Sequence, residues 1–165
     1  MPLSSPETDF AAILNVLASH QVDFVVVGGI AATLQGAPVA TFDIDIVHSR
    51  ERSNIERLLA ALHEMEAVYR FQPDRRLVPN ASHLSSAGHN LLLTKFGPLD
   101  VLGSIGNAHE WPELIRCSEE VQLDPNLAIA VLDLPTQIAI KEEVAGEKDA
   151  LMLPILRRTL AERNR

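Results

Sequence analysis

The chain has 165 residues, 47% of them hydrophobic and 22% charged, and a formal net charge of −8. That length fits one domain with a proper core, expected to span 1–165 with a helical C-terminal segment over 134–165, and the composition excludes a disordered or collagen-like chain. The longest apolar stretches, Phe24–Val27 and Leu127–Leu132, fall far short of a bilayer span, so no membrane association is expected. The acidic balance argues against an extended nucleic-acid platform, which draws its affinity from many Lys and Arg contacts to phosphate. Met1–Glu7 lacks the basic start and apolar core of an export signal, and the expectation is a cytoplasmic protein. The single cysteine, Cys117, excludes an internal disulfide framework and reads as a small buried hydrophobe.

In chain order, Ser5-Pro6 reads as the cap and first position of a helix whose apolar stripe is Phe10, Ile13, Leu14 and Leu17. Phe24–Val27 is β-branched and apolar and stops at Gly28-Gly29, as a buried strand entering a turn does. Ile30–Gln35 suits a short helix ended by Gly36. Thr41–Val47 alternates: Phe42, Ile44 and Ile46 share one face, expected to be the core face, while Asp43 and Asp45 share the other. Ser49 is placed to cap a helix with a stripe of Ile55, Leu58, Leu59 and Leu62. Glu64 to Ser86 carries no clear period and reads as loop with one short strand. Asn90–Phe96 and Leu99–Ile105 read as strands joined by a turn at Gly97-Pro98. Trp111–Cys117 reads as a brief helix, and Val121–Leu123 and Ala128–Leu132 as strands. Helices are expected from Pro135 onward and over Asp149–Leu160, the latter with Pro154 near its middle. These elements predict an α/β (α+β) fold, a small mixed sheet flanked by helices.

Two carboxylates at i and i+2 on a strand point the same way, about 6–7 Å apart at the backbone, so Asp43 and Asp45 can converge on one hard cation. Mg²⁺ suits them because it takes oxygen ligands and shares one or two carboxylates with substrate phosphates, and two such ions can assist phosphoryl chemistry. Taken alone, such a pair is more often solvent-facing. Gly28-Gly29, at the end of a buried strand and the start of a helix, offers backbone N–H groups to an anion; the bland reading is a tight turn requiring positive φ. The spacing to Gly36 does not match a dinucleotide-binding fingerprint. His48, His83, His89 and His109 show no zinc spacing and read as structural, and Arg50, Arg52 and Arg57 read as a solvated helix face. Of only three lysines, Lys141 and Lys148 fall in one C-terminal segment.

Val27-Gly28-Gly29, the short alanine-containing helix and Asp43-Ile44-Asp45-Ile46 resemble the signature of the DNA polymerase beta-like nucleotidyltransferase superfamily. Gly28-Gly29-Ile30-Ala31, Gly36-Ala37-Pro38 and Thr41–Asp45, with Thr94–Leu102 and Leu134–Asp149, resemble a small prokaryotic branch related to abortive-infection toxin nucleotidyltransferases. The resemblance implies that Asp43, Asp45 and Asp100 are catalytic and hold Mg²⁺ or Mn²⁺, with Asp100 also orienting the acceptor hydroxyl. It also implies that Gly28, Gly29, Lys141 and Lys148 bind the nucleoside triphosphate, ATP or another NTP. Gly29 replaces the superfamily's common turn serine, and Val39 stands where related proteins often have arginine, so two phosphate contacts are absent. The expected activity is metal-dependent transfer of a nucleoside monophosphate to an unidentified hydroxyl on a protein, an RNA end or a small molecule. The alternative is a nucleotide-binding or regulatory module of weak turnover that acts beside a protein partner in a toxin–antitoxin-like pair.

Overall fold

The computed structural model describes residues 8–144 and 146–165, the side chains of 147–149 aside. The Ser5-Pro6 cap and the side chain of Lys148 therefore lie outside the described residues. The elements run α1 (Phe10–Ser19), β1 (Phe24–Val27), α2 (Gly28–Leu34), β2 (Ile44–His48), α3 (Arg52–Glu64), β3 (Val68–Tyr69), α4 (Ala81–Ser85), β4 (His89–Thr94) and β5 (Gly97–Leu102). They continue α5 (Trp111–Leu114), β6 (Ser118–Asp124), β7 (Leu127–Leu132), α6 (Leu134–Val144) and α7 (Glu147–Arg163). The described strands form one mixed sheet in the order β3-β4-β5-β2-β1-β7-β6, the α/β architecture expected.

Strand alternation divides the core between the two faces of the sheet. Val26, Ile44, Ile46, Leu99 and Val101 point to one face, where Ile13, Leu14 and Leu17 of α1 and Ile55, Leu58 and Leu62 of α3 cover them. Val25, Val27, Val47 and Leu102 point to the other, against Leu114 and Ile140. A third cluster, Ala32, Ala37, Leu134, Ile138 and Leu156, joins α2 to the C-terminal helices. Burying these aliphatic side chains is the main favourable term in folding, about 25 cal/mol per Å² of apolar surface.

Several expectations are corrected. The Asp9 carboxylate accepts from Ala12 N–H and caps α1. The cap position of α3 is Glu51, and Ser49 is buried with its hydroxyl accepting from Glu51 N–H, two residues before the cap position. Phe42 is 77% exposed, not a core residue: β2 begins only at Ile44, so the alternation read at Phe42 extends past the paired strand. Gly97 already pairs with Thr94 and Pro98 with Leu93, which places the hairpin turn at Lys95-Phe96 and Gly97-Pro98 inside β5. Gly97 takes φ +124 there, and a proline has no N–H to lose from the ladder. Residues 64–86 hold the expected short strand, β3 on the sheet edge, and in addition helix α4, where Asn80 and His83 form a reciprocal capping box.

Candidate functional site

The site is assembled by strand register. Antiparallel pairing sets Val27 opposite Asp45, so Gly28 follows beside it, and parallel pairing sets Asp100 on β5 level with Asp45 on β2. Neighbouring strands lie about 4.8 Å apart, so two carboxylates level with each other on one face meet directly. Both share the face that carries Val47 and Leu102, the side covered by α6. Asp43 stands just before β2, and Arg70, just after β3, crosses over: Nη2 donates to Asp100 Oδ1 at 2.8 Å, and Nη1 lies 3.7 Å from Asp43 Oδ2. The Asp43 side chain is 44% exposed and that of Asp100 is 14% exposed.

Electrostatics follow from this crowding. Asp45 is pushed up from 3.8 to about 7, first by burial, then by a hydrogen bond with the Asp100 carboxyl and repulsion from Asp100 and Asp43, with Arg70 opposing. Burial and its acidic neighbours thus favour the neutral form of Asp45. Among the described residues, no three His, Cys, Asp or Glu side chains are gathered tightly enough to hold one ion as they stand. The donor chemistry nonetheless fits a hard divalent cation: every candidate ligand is an oxygen, the carboxylates repel one another, and coordination places remain for phosphate or water. Such an ion would neutralise carboxylates that now face the Arg70 guanidinium.

Gly28 holds φ +70, and a Cβ there would overlap the Asp45 carboxylate, with Cγ at 2.9 Å. Only glycine lets β1 turn into α2 this close to the acidic pair. A Cβ on Gly29 would lie 3.0 Å from Thr41 Oγ1, whose hydroxyl donates to the Asp43 carbonyl at 3.1 Å. The turn and the loop carrying Asp43 are therefore packed as one unit. A cleft of about 470 Å³ opens over Gly28, Gly29, Asp43, Asp45, Asp100 and Lys141, with Val39, Phe42 and Met152 on its walls. A smaller apolar compartment of about 190 Å³ adjoins it and shares Gly28, Asp45 and Lys141.

The structure thus brings Gly28, Gly29, Asp43, Asp45, Asp100 and Lys141 to one cleft. Arg70 had no sequence signal beyond its place after an apolar pair, Val68-Tyr69, in a stretch without period. The histidines are structural: His48 is buried with Nδ1 on the Ser49 carbonyl and is lowered by burial. His83 caps α4, and His89 meets the Ser104 carbonyl at 3.0 Å. His109 bridges Glu143 and Glu113, which raise it, Glu143 most. Arg50 lies before α3, not on it, and pairs with Glu110, while Arg57 donates to the Gln21 carbonyl. Cys117 is half-buried.

The sequence profile of the family described as Aminoglycoside-2''-adenylyltransferase matches residues 9–91. No curated protein sequence matches significantly. Among solved structures, the chain is similar to TM1012 of Thermotoga maritima, provisionally named a nucleotidyltransferase, with 18% identity over 92% of this chain and 90% of that one and a TM-score of 0.55. It is also similar to the lincosamide antibiotic adenylyltransferase LnuA in its lincomycin-bound form, with 16% identity over 93% of this chain and 98% of that one and a TM-score of 0.59. At such identities the likeness shows the fold.

Proposed function

This chain belongs to the aminoglycoside-2''-adenylyltransferase family, and on that premise we propose that it transfers the adenylyl group of ATP, with Mg²⁺, to a hydroxyl of a small sugar-like molecule. It is an enzyme, a nucleotidyltransferase. The observation that carries the finer reading is the level pairing of Asp45 and Asp100 beside the Gly28 turn, with Asp43 at the strand entrance. In this reading Gly28 and Gly29 let phosphate oxygens reach the main chain, and Lys141 and Lys148 add positive charge. Asp43, Asp45 and Asp100 would hold the divalent ion, which neutralises phosphate charge when bound. Asp100 accepts the proton of the acceptor hydroxyl; its oxygen bonds to the α-phosphorus, the bond to the bridging oxygen breaks, and pyrophosphate leaves. Catalysis is then chiefly positioning and charge neutralisation. An acceptor bearing amines suits a chain of net charge −8.

A protein acceptor or partner, as the resemblance to the toxin-like branch implies, is a second reading. It is favoured by exposed Val144 and Leu151, the former also lining the apolar compartment. The test is incubation with α-labelled ATP, Mg²⁺ and parallel panels of aminoglycosides, lincosamides, RNA and fractionated lysate protein. Label on a small-molecule acceptor, lost in Asp100→Asn, supports the proposal; label confined to protein supports the second reading, and no label in any panel overturns both.

A further inference from the structure

The apolar compartment beside the acidic cleft is lined by one polar residue that the cleft does not share. Its walls are largely aliphatic, including Leu102, Ile105, Leu132 and Ile140, yet Gln137 of α6 is also among them. Gln137 is only 5% exposed. Its Nε2 donates to the Leu132 carbonyl at 2.7 Å, which fixes the orientation of the amide, since the flipped form would set two carbonyl oxygens against each other. Its Oε1 is buried and has no hydrogen-bond donor among the described residues. A buried carbonyl left without a donor costs about 1–3 kcal/mol. The Leu132 carbonyl does not depend on Gln137, because Gln35 Nε2 also donates to it, at 3.2 Å.

The compartment's position says which part of a ligand enters it. It shares Gly28, Asp45 and Lys141 with the acidic cleft, but Asp43 and Asp100 line only the cleft. An acceptor whose hydroxyl meets Asp100 approaches through the cleft, so the compartment lies on the nucleotide side of the reacting phosphate. Largely aliphatic walls, with Asp45 and Lys141 on the edge shared with the cleft and Gln137 Oε1 as the unpaired acceptor, suit the flat face and one N–H of a nucleobase. A volume of about 190 Å³ accommodates a purine and leaves the phosphates to the cleft.

We infer that Gln137 selects the nucleobase: its Oε1 accepts a hydrogen bond from the exocyclic 6-amino group of adenine seated in this compartment. The inference rests on the reading that ATP is the donor in the neighbouring cleft. A base lacking that amine leaves Oε1 unpaired, and a site built around a buried polar group discriminates strongly against an analogue that cannot pair with it.

The test compares binding of ATP and purine riboside 5′-triphosphate, which differs only by lacking the 6-amino group, by calorimetry with Mg²⁺. Wild type should bind the analogue about tenfold more weakly, equivalent to about 1.4 kcal/mol. Gln137→Leu, and Gln137→Met as a second variant should leucine misfold, should bind the two nucleotides equally. Equal binding by wild type overturns the inference and leaves ATP as donor standing. Discrimination that persists in a folded variant assigns base selection to another group and also overturns it. If wild type binds neither nucleotide, the donor assignment itself falls and the inference with it.

Discussion

Replacing Asp45 with asparagine removes one charge from a cluster of three carboxylates while keeping its shape and a donor for Asp100. In the folded protein Asp45 ionises only near pH 7 instead of 3.8, because burial and its two neighbours oppose the charge. The folded state therefore binds this proton more tightly than the unfolded state, so stability is full below about pH 4 and falls as pH rises to about 7. A displacement of that size corresponds to about 4 kcal/mol at alkaline pH; partial contact with water and mobile ions should reduce it to ~2 kcal/mol. Asp45→Asn does not ionise, so it should match wild type within ~0.5 kcal/mol at about pH 3, below both values, and exceed it by ~2 kcal/mol at about pH 8 in metal-free buffer. Urea unfolding at the two pH values measures both differences. Excess Mg²⁺ should then stabilise wild type at pH 8 more than the variant, because a ligand that binds only the folded state adds stability in proportion to its affinity. A variant less stable than wild type by the same margin at both pH values would refute the reasoning, since it would show that Asp45 is structural and that its charge costs the fold nothing.

Gly28→Ala forces an L-residue to φ +70 and drives a Cβ into the Asp45 carboxylate, and should cost about 2 kcal/mol or more in urea unfolding; unchanged stability would mean that the turn does not have this geometry. Arg70→Ala should raise Mg²⁺ affinity about threefold or more in calorimetry, because the guanidinium now satisfies carboxylates that an ion would use, and should lower metal-free stability by roughly 1 kcal/mol. Weaker Mg²⁺ binding in that variant would assign Arg70 to orienting the ligands instead. Lys141→Met should raise the apparent ATP dissociation constant about tenfold, about 1.4 kcal/mol, with little change in folding stability; equal affinity removes the lysine from the nucleotide site.

The parts of this site that could be read from sequence are those in which one short segment carries both the physics and the chemistry. Asp45 and its alternation with buried Ile44 and Ile46 are local, and so is the stop of an apolar strand at Gly28. Phe42 shows where this reasoning ends. Alternation reports a face only while a strand is paired, and the ladder on β2 begins at Ile44, so two residues earlier the same pattern carries no burial. Gly97-Pro98 failed for a related reason: residues that favour turns are also tolerated at a strand's first positions, and only the pairing of Thr94 with Gly97 decides between them.

Arg70 and Gln137 could not be found in this way because their meaning is entirely tertiary. Arg70 matters because the edge strand β3, two strands away from β5, delivers a guanidinium to carboxylates 27 and 30 positions away in sequence. Gln137 matters because one end of its amide is satisfied by Leu132 while the other is buried beside an apolar space. Neither residue type is unusual at its position, and helix α6 would form as well with another polar residue there. Sequence pattern exposes the groups that the fold needs in order to form, whereas groups whose hydrogen-bonding capacity the fold leaves incomplete become visible only once every partner is in place. In this protein two such groups, the crowded Asp45 carboxyl and the Gln137 carbonyl, lie on the rims of two adjoining spaces that share Gly28, Asp45 and Lys141. One phosphate-bearing, amine-bearing ligand could meet both, whereas His48 Nε2 and Trp111 Nε1, also unpaired among the described residues, line neither space.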